Sequence, residues 1–283
     1  MSAPPTLHRR AALTLAAAVL AAVVLIPAVQ GLFTLMLQQP GFVSSGAGWR
    51  EAVFTLLLSG ALFAVAVLGL WLQPGPHALT GRQPAAMLGS GAVLGLSGLG
   101  LSTVLCALAL TVGHRAGTGG IAALLGGSLL ILFQASVEEV YFRGWLQPML
   151  VRAWGNAAGI VATALAFAAL HLMGGERSLV TLLNLLLGGL LFGLLALRSG
   201  GIVLPAAAHF AWNWAEAIGL GLAPNPGVGS FGAIVDLDLT GSANWGGSAE
   251  GLNASLAMSF VLVALLLPVA AWRWPGGQLA ATR

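Results

Sequence analysis

Between positions 120 and 146 the chain reads GIAALLGGSLLILFQASVEEVYFRGWL, an apolar run interrupted late by Glu138, Glu139 and Arg143. A helix needs about 20 mostly apolar residues to cross the hydrocarbon core of a bilayer, and this run supplies them. A charged side chain at mid-bilayer costs roughly 2.5–3.5 kcal/mol on insertion scales. Three charges in one span therefore need partners and a polar interior to face. The stretch reads as a membrane helix that carries a buried polar site.

Seven further stretches share its apolar character, at 11–37, 51–72, 85–112, 157–173, 180–198, 202–220 and 255–273. Hydrophobic residues make up 58% of the chain and charged residues 7%, against about 25% charged in a typical soluble domain. The expected fold is all-α, a polytopic transmembrane helical bundle of about eight spans, with positions 1–283 forming a single integral membrane domain. The 40 glycines suit helices that pack backbone to backbone. Breaks fall at Gln73-Pro74-Gly75-Pro76, Gly113 to Gly120, Met173-Gly174-Gly175-Glu176-Arg177-Ser178 and Arg198-Ser199-Gly200-Gly201. One long loop, 221–254, is rich in Gly, Asn and Ser and carries Asp236, Asp238 and Glu250. The first stretch follows His8, Arg9 and Arg10 and outruns the apolar core of about 7–15 residues of a signal peptide, so it reads as a retained span.

All 11 basic residues are arginine, a codon bias that points to a bacterial source and hence a plasma-membrane location. They form no run that could follow a phosphate backbone, so nucleic acid is not an expected partner. Cys106 stands alone, which rules out an intrachain disulfide and a cysteine metal cluster. With the N-terminus in the cytoplasm, inside ends hold Arg9, Arg10, Arg82, Arg152, Arg198, Arg273 and Arg283, and outside loops hold Arg50, Arg115 and Arg177. That imbalance favours both termini in the cytoplasm and the acidic long loop outside.

Most spans carry no charge, which makes the exceptions informative. Glu139 and Arg143 are four apart, glutamate first, and can pair on one helix face. Glu138 points about 100° away and need not share the arginine, leaving a carboxylate free to act as a base. His209 and Asn213 are likewise four apart, and two donors converging near a buried carboxylate have the form of an oxyanion hole. His171 lies one turn after Phe167 and can orient Glu138 or a water. Glu216 falls roughly on the His209 face. Each alone has a bland reading as an interhelical hydrogen bond or a structural ion pair; Trp212 and Trp214 read as packing, and Glu176 and Arg177 as loop charges.

Glu138-Glu139-Val140-Tyr141-Phe142-Arg143, Phe167-Ala168-Ala169-Leu170-His171 and His209-Phe210-Ala211-Trp212-Asn213, in this order, resemble the motifs of the CAAX prenyl protease and bacteriocin-processing (CPBP, or Abi) family of intramembrane endopeptidases. The resemblance covers about 120–220. It implies that Glu138 activates the hydrolytic water with help from His171. It gives His209 and Asn213 the oxyanion, and Glu139 and Arg143 a supporting role. The expected partners are the bilayer and a peptide or membrane-protein substrate, and no cofactor is expected. A zinc site using Glu138, His171 and His209 is the second choice, since no His-Glu-x-x-His pair is present. Two other functions stay open: a non-catalytic scaffold or immunity protein, and a transporter whose buried carboxylates bind cations. One conflict stands. In a simple eight-span layout His171 ends the fifth span near the outer face, whereas Glu138 and His209 fall nearer the inner face. Contact then requires a short, broken or tilted fifth span.

Overall fold

The computed structural model describes residues 4–73, 79–115, 119–175, 178–225 and 227–271. Every apolar stretch is helical within that range: α1 (Pro5–Leu37), α2 (Ala47–Leu72), α3 (Pro84–Leu108), α4 (Ile121–Trp154), α5 (Asn156–His171), α6 (Leu179–Ser199), α7 (Val203–Trp214) and α8 (Leu256–Ala271). Among the described residues six helices are long and apolar enough to cross a membrane: α1, α2, α3, α4, α5 with the 3-10 turn that continues it to Gly174, and α6. α8 is shorter, and α7 continues through a π-helical turn, Ala215–Gly219. The chain is a helical membrane bundle. Leu20, Leu56, Trp71, Leu101, Leu129 and Leu165 lie exposed on its flanks. So much apolar surface fits lipid rather than water.

The fourth helix corrects the sequence reading. It does not stop near Leu146 but runs on to Trp154, changing from α to π geometry at Val140–Leu146 and back again at Gln147. Pro148, which lacks the N–H that an inner turn needs, falls in the first turn of the α segment after the π turn.

Gly155 then reverses the chain with φ +84°, a conformation that favours glycine. α5 runs back against Gln147–Trp154 and the π-helical turn of α4. His171 at its end borders the same cavity as Glu138. This removes the conflict over His171: Glu138 lies near the midpoint of a long helix, and α5 is short enough to end beside it.

α3 and α7 pack backbone to backbone. Gly91, Gly95 and Gly98 face Leu204, Ala208 and Trp212, and a Cβ on Gly95 would stand 2.2 Å from the Ala208 carbonyl oxygen. Gly95→Ala must push α7 away, so a loss of about 1–3 kcal/mol is expected, measured by thermal unfolding in detergent. The larger core joins Leu99, Leu191, Trp212 and Leu262 of α3, α6, α7 and α8. A second joins Ala18 of α1 to Tyr141, Trp145 and Phe167, and the Tyr141 hydroxyl donates to the Ala18 carbonyl at 2.6 Å. Cys106 is buried, in keeping with a packing role.

The connections sort to two ends. At one, Arg82 N–H donates to the Ser199 carbonyl, and Arg198 donates to the Ala270 carbonyl. At the other, the long loop folds over the bundle rather than standing free. Its β2 (Leu237–Leu239) pairs antiparallel with β1 (Val112–His114). Glu51 accepts from the N–H groups of Gly229 and Ser230 at 2.9 and 2.8 Å. Glu250 accepts from Ser178 N–H at 3.1 Å and from the Thr181 hydroxyl. Arg115 meets Asp236 at 3.4 Å. This two-ended partition is what the arginine count assumes, although Glu176, Arg177, Arg273, Arg283 and the turn residues Pro74, Gly75 and Pro76 lie outside the described residues.

Candidate active site

A cavity of about 350 Å³ opens inside the bundle. It is bordered by Glu138 from α4, His171 from the end of α5, His209 and Asn213 from α7, and Glu216 from the π turn after α7. Phe167, Leu170 and Phe192 supply apolar wall, and Ile26 of α1 and Leu58 of α2 add more. The loop residues Asn225, Gly227, Val228 and Asn253 border it too. The four residues singled out from the sequence as water- and oxyanion-handling groups therefore share one space.

The supporting pair sits behind that space. Arg143 Nη1 donates to Glu139 Oε1 at 2.9 Å, with both side chains at 0% exposure. Arg143 Nη2 reaches the Gly189 carbonyl at 3.1 Å. Its guanidinium carbon lies 4.8 Å from the Phe167 ring centre and 5.5 Å from that of Phe192. Cation–π contacts gain in strength when desolvated, as here. Glu138 stands apart from the arginine: Gln134, one turn earlier, donates to its Oε1 at 3.2 Å, and its side chain keeps 15% exposure, toward the cavity.

The bonding partners set both imidazole tautomers. His209 Nδ1 lies 3.0 Å from Glu139 Oε1, and a carboxylate only accepts, so Nδ1 carries a proton. His209 Nε2 is left facing Glu138 Oε2 at 3.9 Å, a gap that one water or one substrate oxygen can bridge. Phe192 stacks on this ring at 4.9 Å and fixes its plane. His171 Nδ1 donates to the Phe167 carbonyl at 2.8 Å, so its Nε2 in the neutral ring is an acceptor. The Phe167 and His171 rings lie 4.6 Å apart, the one-turn packing that their spacing implies. The expectation that His209 and Asn213 converge as two free donors is refined: one His209 nitrogen is committed to Glu139, and Asn213 makes no side-chain hydrogen bond among the described residues.

Some features escaped the sequence. Gln134 is a polar residue one turn before Glu138, and that spacing was a signal. The two π-helical turns begin directly after Glu139 and two residues after Asn213. Such turns concentrate at functional sites, but no residue type spells them. Among the described residues no group of three or more His, Cys, Asp or Glu side chains is placed to hold a metal ion.

Residues 120–215 match the family model described as Type II CAAX prenyl endopeptidase Rce1-like. This segment is Rce1-like. The Rce1-like segment spans a third of the chain and contains all three motifs and both π-turn entries, but not α1, α2, α3, α8 or any of the long loop. The family is described as one of endopeptidases, and the likeness to it is carried by this segment. No curated protein and no solved structure matches it.

Proposed function

We propose that the chain is a glutamic-type intramembrane endopeptidase of the bacterial plasma membrane, hydrolysing a peptide bond in a membrane-associated protein or peptide without a metal. Glu138 takes a proton from a water held between it and His171 Nε2, and the hydroxide adds to the scissile carbonyl. The oxyanion accepts from the Asn213 amide. It also accepts from His209 Nε2 when that ring carries its second proton, since Nδ1–H is committed to Glu139. The Glu139 carboxylate, 3.0 Å from Nδ1, compensates such an imidazolium. As the C–N bond breaks, the proton on Glu138 passes to the leaving amine, giving a carboxylic acid and an amine. Glu139 and Arg143 position His209. With the amino terminus in the cytoplasm, the loop end of the cavity faces outward.

The observation that carries this reading is the single cavity bordered by Glu138, His171, His209 and Asn213, with Glu138 kept clear of Arg143. The test uses purified protein in proteoliposomes and quenched-fluorescent decapeptides with apolar centres, with products identified by mass spectrometry. Cleavage is expected with the wild type, and it should persist in EDTA and 1,10-phenanthroline. Cleavage abolished by chelator and restored by zinc would replace this mechanism with the zinc version. A Glu138→Gln chain that keeps its biological activity would favour the scaffold.

A further inference from the structure

Asn253 borders the same cavity from outside the Rce1-like segment, on the 3-10 turn Gly251–Ala254 just before α8. This turn is unusually well fastened. Asn184 of α6, 1% exposed, donates through Nδ2 to the carbonyls of Asn253 and Ser255, each at 2.9 Å, and accepts from the Ser259 hydroxyl at 2.6 Å. The buried amide is thus spent on holding the backbone at Asn253 and just after it. Leu252 is buried next to it, and Glu250 ties the preceding residues to the start of α6.

The side chain so mounted is itself uncommitted: the Asn253 amide makes no hydrogen bond to any described residue. Apart from Asn213, which the mechanism already uses, the other amides around the cavity contrast with it. Asn225 Oδ1 accepts from Gly227 N–H, Gln30 donates to the Met173 carbonyl, and Gln134 donates to Glu138. A polar group on a rigid mount at the edge of a reaction cavity, with its donors and acceptor unspent, suits a ligand rather than the fold. An asparagine amide carries one acceptor and two donors in a plane, so it can pair with a peptide group by two hydrogen bonds.

We propose that Asn253 is a substrate-binding residue that grips the backbone of an extended peptide in the cavity through its side-chain amide. This rests on the protease reading, but its test does not rest on cleavage. Binding is measured in the non-cutting Glu138→Gln background, by fluorescence anisotropy in detergent. The probe is a fluorescein-labelled dodecapeptide of alternating leucine and alanine capped by serines. Adding Asn253→Ala should raise Kd roughly tenfold, the loss expected for two neutral hydrogen bonds. Asn253→Asp keeps shape and acceptor and should fall between the two. Thermal unfolding of both should match the background, since no intramolecular bond is lost.

A set of probes, each with one peptide N–H replaced by an ester oxygen, gives the readout that a merely structural role would not move. One ester position should weaken binding to the Glu138→Gln protein by a similar factor and leave the Asn253→Ala protein indifferent. Equal affinity with and without Asn253→Ala overturns the assignment, as does ester sensitivity that survives at every position. A protease reading that fails does so in the cleavage assay, as wild-type and Glu138→Gln proteins that behave alike.

Discussion

Glu138→Gln is expected to lower kcat by about 10²–10⁴-fold, the usual worth of a positioned general base. The exchange is close to isosteric. The new amide oxygen still accepts from Gln134, which now lies 3.2 Å from Glu138 Oε1. The side chain faces the cavity and does not pair with Arg143, so removing its charge leaves no buried partner stranded. Thermal unfolding should therefore stay within about 0.5 kcal/mol of wild type, as for substitutions away from buried networks. Loss of rate with an intact fold separates a chemical role from a structural one. A rate within threefold of wild type would remove Glu138 from the mechanism.

Arg143→Met is expected to do the opposite, acting first on stability. It leaves Glu139, at 0% exposure, without its cation, and breaking one side of a buried pair costs about 3–5 kcal/mol. The carbonyl of Gly189 also loses its donor, and three aromatic rings lose the guanidinium they surround. Glu139→Gln together with Arg143→Met should recover much of the loss, because no net charge then remains buried. Unfolding of the two single variants and the double variant in detergent gives the cycle. Additive losses would show that the two groups do not act as a pair. Activity of the double variant should stay low, since Glu139 also holds His209 by its Nδ1.

Much of this arrangement was legible because charges are rare in the chain and costly where they fall. The cost of Glu138, Glu139 and Arg143 in an apolar run is visible without coordinates, and so is the four-residue spacing that pairs the last two. What the residues did not spell was geometry set by neighbours. The π turns at Val140–Leu146 and Ala215–Gly219 arise from slipped backbone hydrogen bonds, which any apolar residue can join. The apolar stretch ended at Leu146, and nothing in the identity of Pro148 says that it opens a new α segment. With the fourth helix cut short there, Glu138 was set at the wrong depth and His171 seemed out of reach. Asn253 was invisible for the opposite reason: an asparagine is ordinary in a polar loop, and only the folding of that loop onto the bundle brings it to the cavity.

The reversal at Gly155 fixes an arithmetic as well as a direction. Each residue added between it and His171 would carry the imidazole about 1.5 Å along its axis and swing it by about 100°. The two arms of this hairpin are thus counted against each other. Drift in side-chain identity along them leaves the count untouched, whereas a change in their length by one residue misaligns the water-holding groups while the bundle still fills its volume.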